Sequence, residues 1–241
     1  MAGGIRLLSM DMGSRNVAYL VADASGSASG SASGSASGSA RLVVGAWGLD
    51  DVSGELIPNT VALAGRLAEL HGPFDLVALE NQLGRFAAGN KTVQSVLHAS
   101  MLLLCPGCEV VNVSPQCKTA LSRKLLGPDA LAEIASSVEG KSSKRASYVT
   151  QKQTVVRAAR AFLSPAGDSR PPGLLGPGQA ERLLGILEGS AKKDDLCDCL
   201  LQALSVLERR GHAVVPASRT PVAGPPRLSA ASRALTASEG R

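Results

Sequence analysis

One short segment of the chain concentrates side chains that could do chemistry. Residues 192–198 read Lys-Lys-Asp-Asp-Leu-Cys-Asp, so two lysines are followed directly by the carboxylates of Asp194, Asp195 and Asp198. The apolar run that continues to Leu207 predicts a helix for the whole stretch. Like charges about 4 Å apart repel by ~4 kcal/mol at an effective dielectric constant of about 20. A divalent cation would relieve that repulsion, and carboxylate oxygens favour Mg²⁺ or Mn²⁺.

Two further acids stand at the ends of predicted strands. The apolar residues 5–12 predict a strand that carries Asp11, and residues 76–79 predict a strand followed by Glu80. In open α/β sheets, sites form at the carboxyl ends of strands. If the acidic helix packs across those ends, four carboxylates converge. Two metal ions held there could activate a water molecule and stabilise the leaving 3′ oxygen of a phosphodiester.

Each acid also has a plainer interpretation. An Asp at a strand end commonly caps a turn, and Asp194 and Asp195 could simply complement the dipole at a helix start. Asp198 is different, because it lies inside an apolar run, where a charge should be paired or bound to metal. Residues three or four apart share a helix face, so Asp198 aligns with either Asp195 or Asp194, and the spacing leaves both alternatives open.

The elements that must position these acids alternate between strands and helices. Strands are predicted at residues 5–12, 17–22, 42–49, 76–79 and 109–113, and helices at residues 58–70, 92–104, 116–125, 149–163, 179–187 and 193–209. This order predicts one α/β domain over residues 1–212, in which an antiparallel three-stranded meander continues into parallel strands to form a mixed sheet. The Ser-Gly-Ala repeat at residues 24–40 predicts a flexible loop, and the basic segment 213–241 a disordered tail.

Charge is distributed unevenly along the chain. The net charge is +5, and residues 115–160 hold nine Lys or Arg against three acids. Such a run is either a solvated face or a surface for a polyanion, and the neighbouring carboxylates favour a polyanion such as nucleic acid. No apolar run approaches the ~18 residues of a membrane span.

The cysteines and the amino-terminal residues bear on the cellular compartment. The five cysteines are odd in number and lie mostly within apolar runs, which favours a reducing, intracellular compartment. Cys105 and Cys108 form a C-x-x-C without a second pair at zinc spacing, which predicts a tight turn. Because a strand is predicted from residue 5, we recognise no targeting segment and favour a viral or cytoplasmic setting over the mitochondrial matrix.

Three motifs, taken in order, resemble those of the RuvC-like Holliday junction resolvases of fungal mitochondria and poxviruses. Residues 9–19 are similar to the first-strand motif of that branch, residues 79–82 to its Ile-Glu-x-Gln strand end, and residues 192–198 to its Lys-Lys-Asp-Asp-Leu-Ala-Asp signature. The resemblance implies an RNase H-like fold. It also implies a homodimeric, metal-dependent endonuclease that cuts four-way DNA junctions symmetrically and leaves ligatable nicks.

The resemblance further implies roles for individual residues. Two Mg²⁺ or Mn²⁺ ions would be held by Asp11, Glu80, Asp195 and Asp198. Asp194 would be an additional or competing acid. A basic catalytic residue near the scissile phosphate is expected at Lys152. Contacts to DNA are predicted for Arg15, Arg85, Lys91, Lys118, Lys144, Arg145 and Lys152. Arg15 stands where the family has Lys, and the usual basic residues after Glu-x-Gln appear only as Arg85 and Lys91.

A homodimer would match a two-fold symmetric junction, because two incisions need two equivalent sites. The helix after Glu80 has an apolar side that could form the dimer interface or could equally be ordinary core, consisting of Val93, Val96, Leu97, Met101 and Leu104. Two other functions are alternatives for this sequence. One is a junction-binding relative without activity, and the other is an actin/hexokinase-type phosphotransfer protein, which would need Gly-rich phosphate loops that the sequence lacks.

Overall fold

The computed structural model describes residues 4–26, 40–82, 88–137, 143–164 and 169–216, with the backbone alone at residues 143–146. Most of the predicted loop at residues 24–40 and of the predicted tail at residues 213–241 lies outside these ranges, so both stay predictions. None of the described helices is long and apolar enough to cross a membrane.

Five strands form one mixed sheet. In chain order they are β1 (Ile5–Met12), β2 (Asn16–Ser25), β3 (Arg41–Asp51), β4 (Leu76–Glu80) and β5 (Glu109–Val113). The spatial order is β3-β2-β1-β4-β5. The first three strands are antiparallel neighbours, whereas β4 runs parallel to β1 and β5 runs parallel to β4. The predicted fold class is therefore confirmed: an antiparallel meander continues into parallel strands, as expected for an RNase H-like α/β fold.

Within the described residues, six helices accompany the sheet. They are α1 (Leu56–His71), α2 (Ala88–Leu104), α3 (Gln116–Ser136), α4 (Ser143–Leu163), α5 (Gln179–Gly189) and α6 (Lys193–Arg209). Several begin earlier or end later than the sequence predicts. Helix α1 includes Pro58 in its first turn, where the missing N–H is not needed. Helix α3 passes through Gly127, whose φ of 75° interrupts the helix, and resumes at Pro128.

The two faces of the sheet carry separate hydrophobic clusters, because successive strand residues point to opposite faces. On one face Leu8 and Met10 of β1 pack with Leu79 of β4 against α1 and α2. On the other face Leu7 of β1 and Leu76 of β4 pack with residues of α3, α4, α5 and α6. The chain is thus a three-layer sandwich with the sheet in the middle.

Helix α6 runs through the interior between the sheet and the outer helices. It packs on β1, β2, β3 and β4 on one side and on α3, α4 and α5 on the other. From Leu196 to Leu207, Asp198 is the one residue that is not fully buried. A helix with apolar residues on all sides is stable only in the interior of a protein. The interior position of α6 fixes where its acids lie relative to the strand ends.

The apolar side of α2 belongs mainly to the core. Val93, Leu97 and Met101 are 0% exposed and pack against the sheet. They therefore cannot form the dimer interface that the sequence left as an alternative. Leu104, at the end of the helix, is 46% exposed. The C-x-x-C that follows forms the predicted turn before β5, with the thiols of Cys105 and Cys108 both free.

Candidate active site

Three carboxylates from distant parts of the chain surround one ammonium group. The Nζ atom of Lys118 lies 2.8 Å from Oε2 of Glu80, 3.2 Å from Oδ1 of Asp198 and 3.8 Å from Oδ1 of Asp11. The Lys118 side chain is only 5% exposed, and those of Asp11 and Glu80 are 14% and 12% exposed. The structure thus brings together three of the four predicted metal ligands.

Strand register explains why Asp11 and Glu80 meet. In the parallel pairing of β1 with β4, Met10 lies opposite Leu79. Asp11 and Glu80 are the next residue of each strand, so both turn to the face opposite the one that Met10 occupies, where α6 and α3 lie. Both stand at the carboxyl ends of strands, the edge at which sites form in open α/β sheets. The second turn of α6 supplies Asp198, and the first turn of α3 supplies Lys118.

Asp11 and Glu80 behave as one acid pair. Burial raises the pKa of Asp11 well above its usual range, and its hydrogen bond to Glu80 raises it further. Burial also opposes ionisation of Glu80, but the hydrogen bond from Asp11 and the Lys118 ammonium outweigh it, so the pKa of Glu80 is lowered. Two adjacent carboxyl groups in a dry site share a proton in this way.

Asp198 and Lys118 complete the charge distribution of the cluster. Burial raises the pKa of Asp198 to about 6; repulsion from Glu80 adds to that effect, while Lys118 opposes it. Burial disfavours the charged form of Lys118, but the surrounding Asp11, Asp198 and Glu80 outweigh burial and raise its pKa. The ammonium is therefore a permanent positive charge, and three acids compete for it.

The two neighbouring aspartates of α6 lie in different surroundings. Asp194 forms an ion pair with Lys152 of α4, and that pair outweighs the effect of burial and lowers the pKa of Asp194. Asp195 is half-buried and, among the described residues, has no ion pair within 4 Å. Burial raises the pKa of Asp195, and repulsion from Asp194 raises it further. Asp194 is thus already neutralised, whereas Asp195 forms no direct ion pair among the described residues and is only attracted at longer range by Lys192, Lys152 and Lys118.

A basic side chain and an aromatic ring stand beside the acids. The Lys152 ammonium lies 4.9 Å from the ring centroid of Tyr148, whose side chain is exposed. These two residues, with Asp194 and Asp198, line a small cavity of about 120 Å³. The Lys152–Asp194 pair also borders a larger groove of about 880 Å³ between α3, α4 and the start of α6. Lys152 therefore lies where the sequence predicts a basic residue of the site.

The carboxylate oxygens are suitable ligands for a metal ion, but in this structure they are not arranged to hold one. Within the described parts of the chain, no group of three or more His, Cys, Asp or Glu side chains is arranged to hold a metal ion. The Lys118 ammonium occupies the space at which three carboxylates converge. The donors are hard oxygen atoms, which Mg²⁺ and Mn²⁺ prefer. The residues therefore suit such an ion once the ammonium moves aside.

The residues predicted to contact DNA differ in their surroundings. Arg15 and Lys91 are exposed. Lys118 is not on the exposed basic face that the sequence suggested, because its side chain is buried among the acids. Lys152 lies beside Asp194, as described above. The side chains of the other three predicted residues lie outside the described residues: Arg85, Lys144 and Arg145.

Sequence reasoning missed two features of this site. The place of Lys118 could have been found, because Lys118, Leu121 and Leu125 share one apolar helix face and a lysine there must be paired. The second feature is a buried polar cluster formed by Gln202 and Ser9. A Gln inside the apolar run of α6 was the available signal.

Comparisons with known proteins give the following. No protein-family model matches the chain, and no curated protein matches it. The structure of Thermus thermophilus RuvC is 14% identical over 88% of this chain and 99% of that chain, with a TM-score of 0.45. The same protein in complex with a Holliday junction substrate gives 14% identity, the same coverage and a TM-score of 0.43. The yeast mitochondrial Holliday junction resolvase Ydc2 is 16% identical over 85% of this chain and 83% of that chain, with a TM-score of 0.44.

Proposed function

We propose that this protein is a structure-selective, metal-dependent endonuclease that resolves four-way DNA junctions by paired, symmetric phosphodiester cleavage and leaves ligatable nicks. One observation carries the proposal. Asp11, Glu80 and Asp198 come from the three sequence motifs that resemble junction resolvases, and their carboxylates lie within 3.8 Å of a single cationic nitrogen. A buried cluster of acids is costly to fold, and metal-assisted phosphodiester hydrolysis requires one.

In this proposal Asp11, Glu80, Asp195 and Asp198 hold Mg²⁺ or Mn²⁺, two ions per site. When bound, such ions lower the pKa of a water molecule and stabilise the leaving 3′ oxygen of the phosphodiester. Lys118 must then swing away from the carboxylates, because its ammonium and a divalent cation repel each other. A lysine side chain has the rotatable bonds for that movement, and the displaced ammonium becomes available to a DNA phosphate.

Basic residues around the acids supply the DNA contacts in this proposal. Lys152 is closest to the acid cluster, and a phosphate could replace Asp194 as its partner. Arg15, in the turn after β1, and Lys91, in the first turn of α2, present exposed side chains. Arg85, Lys144 and Arg145 stay predicted DNA contacts on the sequence alone. Because phosphate contacts dominate, binding should weaken steeply as salt is added.

We also propose a homodimer, because a junction with two-fold symmetry needs two equivalent sites. Most of the large apolar side chains that the described residues leave exposed lie on α1 and α2, namely Ile57, Val61, Leu70, Leu102, Leu103 and Leu104. Exposed apolar side chains grouped on one layer favour burial against a partner. Leu103, at 82% exposed, is the most accessible of them.

Light scattering during gel filtration tests the dimer. Leu103→Glu should convert a wild-type dimer to monomer, because a carboxylate would be buried in the contact. Val43→Glu is the matched control, since Val43 is an exposed apolar residue of β3 on the far edge of the sheet. A monomeric wild-type protein, or a dimer unaffected by Leu103→Glu, would remove this surface from the proposal.

The activity is tested with a synthetic four-way junction in Mg²⁺ or Mn²⁺. We expect paired nicks at symmetric positions that Asp11→Asn and Asp198→Asn abolish. Asp23→Asn is the matched control, because Asp23 lies on β2 and pairs with Arg6 away from the cluster. Metal chelation should stop cleavage and leave junction binding intact.

Two outcomes would favour the other functions. Tight junction binding without cleavage in either metal would indicate a non-catalytic relative. ATP hydrolysis without DNA cleavage would indicate a phosphotransfer protein. Cleavage that survives Asp11→Asn would contradict the proposed site even if the substrate were right.

A further inference from the structure

A polar side chain is buried beneath the acid cluster, at the point where α6 crosses the sheet. Gln202 is 0% exposed and lies one helical turn after Asp198. Its Nε2 atom donates hydrogen bonds to the carbonyl of Met10 at 3.1 Å and to the carbonyl of Ala78 at 3.0 Å. A third contact, 3.1 Å long, joins Nε2 to Oγ of Ser9. One amide group thus links α6 to both strands that carry acids.

The partners of Gln202 are close to those acids in the chain. Met10 directly precedes Asp11 on β1, and Ala78 lies two residues before Glu80 on β4. Ser9 and Ala78 are opposite each other in the parallel register, so one side chain can reach both strands. Any shift of α6 relative to these carbonyl groups would also move Asp198 relative to Asp11 and Glu80.

The orientation of the amide is fixed by its surroundings. Ser9 Oγ donates to the carbonyl of Cys199 at 3.0 Å, so it can only accept from Gln202. Three acceptors therefore surround Nε2, and a flipped amide would place its oxygen against them. The Oε1 atom is buried without a hydrogen-bond partner among the described residues. An apolar residue of similar length would avoid that unpaired oxygen, so packing alone does not explain a glutamine here.

Apolar contacts cannot set the position of α6 as closely as these bonds do. The apolar core residues of α6 are leucine, alanine, cysteine and valine side chains, whose attraction has no preferred direction. Hydrogen bonds require defined distances and angles. A catalytic group must be held within about 0.5 Å of its working position. Trp47 Nε1 also donates to the carbonyl of Leu196 on α6, but that bond ties the helix to β3, whereas the bonds of Gln202 tie it to both strands that carry acids.

We propose that Gln202 is a positioning residue that fixes the rotation and depth of α6, so that the carboxylate of Asp198 meets those of Asp11 and Glu80. This inference rests on the proposed function for its catalytic consequence. Gln202 touches neither substrate nor metal in it, and acts only through the Met10 and Ala78 carbonyl groups. Ser9 has a smaller part, since it binds Gln202 and the helix but neither acid.

The test replaces the amide with an apolar side chain of similar length. Gln202→Met should lower the single-turnover rate of junction cleavage by about 10- to 100-fold and raise the Mg²⁺ concentration needed for half-maximal rate. The dissociation constant for the junction in EDTA should stay within about two-fold of wild type, because no DNA-contacting residue is changed. Ser9→Ala should give a smaller loss of rate, and it replaces Gln202→Met if that variant does not fold.

A metal-free measurement separates the inference from the proposed activity. In EDTA, amide hydrogen exchange at residues 10–12 and 78–80 should accelerate by about ten-fold in Gln202→Met, because the strand ends lose their link to α6. Leu207→Ala is the control, since Leu207 is fully buried on the same helix but more than a turn beyond Gln202. It should lower the melting temperature, accelerate exchange at these residues no more than its loss of global stability requires, and leave the cleavage rate of folded protein unchanged.

Three results would overturn the inference. The first is unchanged exchange in Gln202→Met. The second is a cleavage rate equal to that of Leu207→Ala at matched stability. The third is a loss of junction binding in step with cleavage. If the wild-type protein cuts no junction, the proposed function fails, and the exchange result still decides whether Gln202 positions the strand ends.

Discussion

The two faces of the central sheet are built from the same strands and differ at the carboxyl ends of β1 and β4. On the face covered by α1 and α2, Leu8, Met10 and Leu79 are 0% exposed and belong to an apolar cluster. On the face covered by α6, the adjacent positions Asp11 and Glu80 lie in a buried charge cluster. A displacement of one residue along a strand separates core from site.

This difference shows that the apolar positions and the charged positions have different roles. Apolar burial stabilises the fold by about 25 cal/mol for each Å² removed from water. A buried group of ionised side chains offers no such gain, and apolar residues of similar size are often as stable or more so. Both faces therefore contribute apolar core, and the α6 face adds, at the strand ends, an arrangement of charge that stability alone does not require.

One substitution on each face gives the strongest test of this comparison. Asp11→Asn should lower junction cleavage by on the order of 10³-fold, since a metal-binding carboxylate is lost, and should leave thermal stability intact. Leu8→Ala should lower the free energy of unfolding by about 2–5 kcal/mol through the cavity it leaves, with the cleavage rate of folded protein unchanged. Single-turnover assays and urea unfolding measure the two effects. An equal loss of cleavage in both variants would abolish the distinction.

Lys118 tests whether the charge cluster is held together by its ammonium. In EDTA, Lys118→Met should lower the free energy of unfolding by about 3–5 kcal/mol near pH 8, because three buried carboxylates lose their counter-charge. Without Lys118 the pKa values of these carboxyl groups are raised in the folded state, so the fold binds more protons than the unfolded chain. The stability of the variant should therefore fall as the pH rises from 5 to 8, through the region where Asp198 titrates at about 6 in the wild type.

Thermal unfolding of both proteins across that pH range measures the effect. Arg210→Met is the control, because Arg210 pairs with Glu109 on the exposed surface and such pairs contribute about 0–1 kcal/mol. A difference between wild type and Lys118→Met that stays constant with pH would contradict the counter-charge role. Added Mg²⁺ should restore more stability to Lys118→Met than to wild type, since it replaces the missing charge.

The adjacent aspartates of α6, Asp194 and Asp195, allow a second comparison within the charged site itself. Asp195→Asn should lower cleavage by roughly 100-fold, because in our proposal Asp195 holds metal. Asp194→Asn should lower it by roughly ten-fold or less, since Asp194 is occupied with Lys152 and acts on that side chain. The two variants are matched in chemistry and position. The reverse order of effects in a single-turnover assay would assign the ligand to Asp194.

The smallest expected effect concerns the exposed cations. Arg15→Gln should weaken junction binding by a few-fold and reduce the slope of log affinity against log salt by about one, as the loss of one phosphate contact does. Arg6→Gln is the control, because Arg6 lies at the opposite end of β1 and pairs with Asp23. Binding titrations at several salt concentrations distinguish them. An equal change in both slopes would show that the DNA surface is not confined to the site end of the sheet.

Much of the fold could be predicted because local patterns dominate its elements. Each of the five strands and six helices was predicted close to its observed place, since apolar runs and helical periodicity record which side of an element is buried. Helix ends were less predictable. Pro58 reads as a boundary in sequence but lies inside the first turn of α1, and α3 continues past Gly127 because Pro128 can begin a second helical stretch.

The site was predictable only in part. The acids Asp11, Glu80 and Asp198 stand out because a charge next to or within a buried run has few structural uses. The burial of Lys118 among the acids was not predicted, and the side of α2 that carries Leu97 was left open between core and dimer interface. Both depend on which neighbour covers a helix face, and helical periodicity alone gives the face without the neighbour.

The sequence by itself determined which side chains could do chemistry and on which elements they lie, because residue type and periodicity are local properties. Tertiary structure alone decided that Lys118 stands among the acids, that Asp194 pairs with Lys152 and that Gln202 joins α6 to two strands. These contacts link residues that are 38 to 192 positions apart. They are formed only when the sheet register and the path of α6 are both fixed, and the path of α6 depends on packing between residues that are far apart in the chain.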